Sequence, residues 1–335
     1  MKIFDREFSG LSQEDVLKRQ QLGKTHFVES KTTKTYKEII FNKKIMLNVD
    51  TNSKGLRQSE AVFKHVSNIG QISENIAEKL RNYNIVGVCA SEKPRPIKGS
   101  YMPVFTVGLN IGKLLSSTHN CPFFKTSHQE NHIESSLLGK NLLDKNRFIA
   151  VHMSGGTTEI VLVNKVKCGK YEFEIIGGTK DVSFGQLIDR LGVKLSYNFP
   201  CGKYIDKNAL EYEKTIENGL KTSVKEGYMN LSGIENQLDK IMSNQKEIDK
   251  SFLSKLLMDA IIRNMFKSLS YLCEKHGVYE IVFAGGVSAS KYISKNLTQK
   301  LKKYRIKTHF THADLATDNA VGCALIGIQN LNLGE

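Results

Sequence analysis

Two kinds of hydrophobic pattern alternate along this chain of 335 residues, and that alternation constrains its fold more than any other feature. IVGVCA at 85–90, CPFFKT from Cys121, RFIAVHM, TEIVLVN, YEFEIIGG, VYEIVFAGG and HFTH are short apolar runs of strand length. Between them lie stretches with helical spacing of apolar residues: 58–80, PVFTVGLNIGKLLSS, SFGQLIDRLGVKL, 251–276, SASKYISKNLTQKL and DNAVGCALIGIQNL. Strands interleaved with helices in both halves predict α/β layering. A chain of this length holds about two domains of ordinary size. Residues 1–45 differ from the rest. They are polar, lysine-rich and poor in strand signals, and they read as an extension.

Composition narrows the function classes. Hydrophobic residues make up 40% and charged residues 24%, a soluble globular balance. No stretch approaches the ~20 apolar residues of a membrane span, and the N-terminus has no apolar signal-peptide core. Six scattered cysteines without a CxxC read as free thiols in a reducing cytoplasm. The net charge of +14 favours a polyanionic partner, RNA above all. The chain has no tryptophan and no ladder of alternating aromatic and basic residues, so a base-stacking platform is not visible in the sequence.

His128 and His132, in KTSHQENHIESSLLG, are spaced i, i+4. On a helix that spacing projects both imidazoles from one face, as a chelated metal requires, although a surface HxxxH has the same spacing. Ser127 and Glu130 form an S-x-x-E capping box, which predicts a helix beginning at His128. Asp318, before the last apolar helix, is a candidate third ligand or that helix's N-cap. Ser154-Gly155-Gly156 separates two strand runs and predicts a hairpin; its glycines, with Thr157 and Thr158, can also turn N–H groups and hydroxyls toward an anion. Gly285-Gly286 lies between a strand and a helix, either a tight turn or a phosphate site at a helix N-terminus. Asp181 and Asp189 flank one helix, as its cap and solvated face or as ribose ligands.

In order, these motifs run HxxxH, SGG-T, GTxD-x3-GQ-x2-DR, FP-x-G, LSG, GGV and TDNA. From residue 46 onward the chain resembles the transferase subunit of tRNA N(6)-threonylcarbamoyladenosine synthase, a family once labelled glycoprotein endopeptidase. GLRQSEAVFKHV and GSYMPVF are similar to a divergent bacterial branch. The resemblance implies the actin-like ATPase fold shared with sugar kinases and heat-shock chaperones, with two similar subdomains: 46–145 with 310–335, and 146–309. It implies an iron or zinc ion on His128, His132 and Asp318. It implies substrate contact by Met153, Ser154, Gly155, Gly156 and Thr157, and nucleotide contact by Asp189, Gly202, Asp206, Gly285, Gly286 and Ser290. The ligand implied is threonylcarbamoyl-AMP or ATP, and the partners are tRNA and the other synthase subunits, in the cytoplasm.

The chain departs from the family pattern at several points. Thr157 stands where the principal bacterial enzymes carry histidine, Ser290 where the family has asparagine, and Cys201 where FPCGK replaces PGGP. The opening strands of the first subdomain are expected to be absent, with 46–51 serving as the third strand and a sheet edge left open. Residues 9–43 are similar to the amino-terminal segment of cation-pumping P-type ATPases. Two functions compete: the transferase, and a catalytically impaired nucleotide-binding paralogue acting as a partner-binding subunit. A metallopeptidase fits poorly, because H-Q-E-N-H lacks the Glu directly after the first His that a zinc-peptidase helix uses.

Overall fold

The computed structural model describes residues 2–3, 39, 41–45, 47, 57–81, 83–138, 146–167, 170–244, 247–316 and 318–332. All of the expected strand at 46–51 except residue 47 lies outside them, as does nearly all of the segment similar to P-type ATPases. The chain divides into two compact units. One comprises Met1–Asp144, Val166–Tyr171 and Asn319–Glu335; the other comprises Lys145–Lys165 and Glu172–Asp318.

The first unit holds a three-stranded sheet ordered β1 (Lys2–Ile3), β2 (Val88–Lys93), β3 (Phe123–Ser127). β2 and β3 run parallel, joined through helix α2 (Phe105–Thr118). β2 begins three residues later than the apolar run predicts, because its ladder opens with Val88 opposite Phe123. Its other edge, expected to be bare, carries Lys2–Ile3 antiparallel to Val88–Cys89. Helix α1 (Gln58–Leu80) has the predicted bounds. Helix α3 (His128–Leu137) follows β3 directly.

Helix α9 (Val321–Asn332) packs on α3, β2 and β3. Cys89, Cys323 and Ile326 form a small core there with Phe124 and Leu331. The approach of α9 to α3 is closer than any side chain permits. A Cβ on Gly322 would lie 1.9 Å from the Asn131 carbonyl oxygen, so only glycine fits.

The second unit is built on a seven-stranded sheet ordered β10-β9-β4-β5-β6-β8-β7. Its strands are β4 (Arg147–Met153), β5 (Thr158–Lys167), β6 (Lys170–Thr179), β7 (Ser223–Lys225), β8 (Tyr228–Asn230), β9 (Glu280–Ala284) and β10 (Lys307–Phe310). β4 and β5 form the predicted antiparallel hairpin, and β9 runs parallel to both β4 and β10. Among the described residues, five helices of ten residues or more accompany the sheet: α4 (Phe184–Lys194), α5 (Gly202–Glu211), α6 (Ser232–Ser243), α7 (Lys250–His276) and α8 (Lys291–Lys302).

Helix α7 is the core of this unit. Leu253, Leu256, Leu257, Ala260, Ile261, Met265, Leu269 and Leu272 are almost fully buried, at spacings of three and four. Asp249 caps its start, accepting the Phe252 N–H at 2.9 Å, and Gly277 ends it in the left-handed conformation at φ 64°. Such a helix, apolar on most sides, is stable only inside a packed domain.

Because β4 and β9 are parallel neighbours, their carboxyl ends lie side by side and the two glycine turns that follow them are adjacent. Ligands of open α/β sheets bind at that edge.

Candidate functional site

The metal candidate is assembled around α3. Ser127 caps the helix as its spacing predicts: its Oγ accepts the Glu130 N–H at 3.2 Å, and Glu130 Oε2 accepts the Ser127 N–H at 2.8 Å. Thr126 Oγ1 donates a second hydrogen bond to that carboxylate at 3.0 Å. Glu130 is thus occupied in fixing the helix start, a poor position for a peptidase base. His128 falls at the first helical position, with its ring against the edge of Phe105, and buried His132 lies one turn on.

The two Nε2 atoms are 3.1 Å apart. Two imidazole nitrogens bound to one tetrahedral ion at zinc–nitrogen distances would be separated by about 3.3 Å. The pair therefore already has chelating spacing.

Asp318 offers a third candidate ligand. It directly precedes Asn319, and Asn319 is clamped to α3: Asn131 Nδ2 donates to the Asn319 carbonyl at 2.8 Å, while Asn131 Oδ1 accepts the Cys323 N–H at 2.8 Å. One asparagine on α3 thereby fixes the chain on both sides of the turn into α9. The Val321 N–H at that turn is taken by Asn319 Oδ1 at 2.8 Å. One ligand atom from each of His128, His132 and Asp318 lies within 4.8 Å of the others. Two nitrogens and a carboxylate oxygen suit iron or zinc.

The second unit presents the other candidate residues. Met153 ends β4, fully buried. Ser154, Gly155, Gly156 and Thr157 form the β4–β5 turn, closed by the Ser154 N–H to the Thr157 carbonyl at 2.9 Å. Around Gly155 and Gly156 the space where a side chain would lie is open. The turn is seated on the start of α4: Ser183 Oγ donates to the Gly155 carbonyl at 2.8 Å, and Thr158 Oγ1 accepts the Phe184 N–H at 3.1 Å.

Gly285, at φ 90°, lies against the end of β4, where a Cβ would come 2.3 Å from the Met153 carbonyl oxygen. The glycine pair lies between strand and helix as its position predicts, but the helix expected from Ser288 begins three residues later. A 3-10 turn, Gly286–Ala289, intervenes, and α8 starts at Lys291 behind an N-cap at Ser290.

Asp206, on α5, reaches that cap. Its carboxylate accepts the Ser290 hydroxyl, the Lys291 N–H at 3.1 Å and the Tyr292 N–H at 3.0 Å. Ser290 Oγ in turn accepts the Ile293 N–H at 3.0 Å. A contact between two side chains so far apart in sequence left no local signal.

Asp189 Oδ1 accepts the Cys201 N–H at 2.8 Å, which ties α4 to the turn leading into Gly202 at the start of α5. Burial raises its carboxyl above the ordinary carboxylate range, against the lowering effect of that bond. Cys201, where the family pattern has glycine, faces Gly192, whose missing side chain leaves room for it. Asp181 caps a helix, though not its own. α4 is capped by Ser183 with Gln186, whereas Asp181 accepts the Leu231 and Ser232 N–H groups at the head of α6, each at 2.9 Å. Burial would raise its pKa, but the backbone donors of Leu231, Ser232 and Val182 hold it below the usual value.

The architecture is that of the actin-like ATPase fold. Full-length HypF in its phosphate- and nucleotide-bound form superposes with a TM-score of 0.56 at 15% identity, covering 81% of this chain and 50% of that one. HypF of T. kodakarensis gives 0.57 at 11% identity, covering 79% and 43%. Residues 40–325 match the family described as tRNA N6-adenosine threonylcarbamoyltransferase, and the chain belongs to that family, whose members are acyltransferases. Relatives bearing that name include those of Neorickettsia sennetsu, 28% identical over 68% of this chain and 69% of the relative, and Gloeothece citriformis, 26% identical over 89% of each. The Clostridium beijerinckii relative is 29% identical over 66% of this chain and 65% of its own length.

Proposed function

We propose that this chain transfers a threonylcarbamoyl group from threonylcarbamoyl-AMP to the N(6) amine of the adenosine beside a tRNA anticodon, using iron or zinc on His128, His132 and Asp318. The observation that carries this reading is the convergence of those three ligand atoms within 4.8 Å in a chain of this family.

An exocyclic adenine amine is a weak nucleophile, so the carbonyl it attacks must be made more electrophilic. When bound, the metal supplies Lewis acidity toward that carbonyl. The chain's own groups hold the rest. Backbone N–H groups at the open Gly155–Gly156 turn, with the Thr157 hydroxyl, meet the leaving phosphate. Asp189, Gly202, Asp206, Gly285, Gly286 and Ser290 face the nucleotide from the adjoining segments. The anticodon loop is single-stranded, so no duplex has to open to present the base.

Further support comes from exposed apolar side chains of the first unit. Phe63 on α1 is 71% exposed and Leu114 on α2 is 63% exposed, surface that another subunit of a synthase complex would cover. No helix among the described residues is long and apolar enough to cross a membrane, which accords with work on tRNA in the cytoplasm.

The competing reading, a nucleotide-binding partner subunit without transferase activity, draws on one observation: the Asp206 carboxylate already accepts three donors at the head of α8. Expression of the chain in cells depleted of their own synthase separates the two. Restored threonylcarbamoyladenosine in tRNA, lost together with bound metal in His132→Ala, is the expected result. Soluble protein that binds metal but restores nothing would overturn transferase activity and leave the partner-subunit reading.

A further inference from the structure

Tertiary folding builds a stacked platform that the sequence does not display. Tyr197, in the turn after α4, and Tyr204, on α5, stack with ring centroids 4.9 Å apart and planes 3° from parallel. A lysine ammonium covers each outer face. Lys203 Nζ lies 4.7 Å above Tyr204, and Lys250 Nζ, from the first residue of α7, lies 4.7 Å from Tyr197. Asn208 Nδ2 donates to the Tyr197 hydroxyl at 2.8 Å and holds the ring in place. Phe199, in the same turn, is 62% exposed.

Charge distinguishes these lysines from their neighbours. On the adjoining surface Lys194 pairs with Glu235 and Asp239, Arg190 with Glu235, and Lys207 with Glu211. Lys203 and Lys250 are exposed, and among the described residues no carboxylate pairs with either. They rest on aromatic faces, which orient an ammonium without neutralising it. Two positioned, uncompensated cations, with an exposed ring in the turn that joins Tyr197 to Lys203, suit an anionic strand with a base to stack.

We propose that Lys203 and Lys250 contact two non-adjacent phosphates of one single-stranded tRNA segment and that Phe199 stacks one of its bases. This rests on the tRNA reading above and adds where the RNA is held. The tyrosine faces are already covered, so their role is to pre-orient the lysines and reduce the ordering cost of binding.

Binding of the full chain to a fluorescent tRNA anticodon stem–loop, by anisotropy across a salt series, tests this. Each lysine neutralising a single-strand phosphate contributes about 0.7 to the slope of log affinity against log salt, so Lys203→Gln with Lys250→Gln should lower the slope by about 1.4. Phe199→Ala should weaken binding about ten-fold with the slope unchanged. Lys194→Gln, a lysine already paired, should change neither. Thermal melts check that each variant is folded. If the unaltered chain fails to bind the RNA, the tRNA reading itself fails. If it binds and the double lysine variant keeps both affinity and slope, the patch is overturned. Equal binding to phosphatidylserine vesicles, lost in the same variant, would overturn RNA as the occupant.

Discussion

Gly322→Ala tests how the packing of α9 on α3 sets up the proposed metal site. The added Cβ would lie 1.9 Å from the Asn131 oxygen and 2.6 Å from its carbonyl carbon, both backbone atoms that cannot rotate away. Helix α9 must therefore move off α3. Overpacking of this kind costs roughly 1–3 kcal/mol. The shift also strains the two Asn131 hydrogen bonds, to Cys323 and Asn319, each worth about 1 kcal/mol net. Alanine's better helix propensity returns up to about 1 kcal/mol. The expected loss is about 3 kcal/mol, a fall in Tm of roughly 6–12 °C for a unit of this size. Because the same bonds place Asp318, metal content at equal protein concentration should fall with it. Gly70→Ala is the control: Gly70 lies within α1 with nothing within 4 Å of its would-be Cβ, so it should gain stability or stay level. Calorimetry and elemental analysis read both variants. A Gly322→Ala protein that melts within a degree of the parent and holds as much metal would refute the reasoning.

Asn131→Ala should reproduce the metal loss without the steric clash, since it removes both ties across the α3–α9 turn; metal retention by a folded variant would show that Asp318 is held by something else. For Asp181, whose folded pKa is depressed, the ionised form contributes stability above the ordinary value of 3.8 and loses it as pH falls through the lower folded value. Asp181→Asn should therefore be less stable at pH 7, with the gap closing below about pH 4, as urea titrations across that range would show. Asp189 has the opposite sign: its folded pKa is raised, so its ionised form is disfavoured by folding and the contribution is lost as pH rises above 3.8. Asp189→Asn can keep the bond to the Cys201 N–H and should be as stable or more stable at pH 7, yet bind threonylcarbamoyl-AMP more weakly in calorimetric titration. A variant that is destabilised and binds normally would make Asp189 a structural residue alone.

Much of the architecture was legible because it is local. The bounds of α1 follow from helical periodicity, the start of α3 from Ser127 and Glu130, and the β4–β5 hairpin from the glycines between two apolar runs. The interplay of Asp206 with Ser290 was not legible, nor was the switch of Asp181 from its own helix to α6. In both, a carboxylate answers the unsatisfied N–H groups of a helix remote in sequence, and any nearby acid could have done so. The glycine pair at 285–286 marked where the chain turns between strand and helix, while packing against the end of β4 decides how many residues the turn takes.

The amino-acid sequence by itself determined the alternation of strands and helices, the caps, the hairpin turn and the spacing that puts two imidazoles on one helical face. Those features depend on groups a few residues apart, whose geometry the backbone dictates. Tertiary structure alone decided that Asp318 meets those imidazoles, that Asn131 clamps the turn which carries it, and that two tyrosines and two lysines form one stack. Such contacts join segments distant along the chain, and they exist only because burial of the two cores brings their elements together.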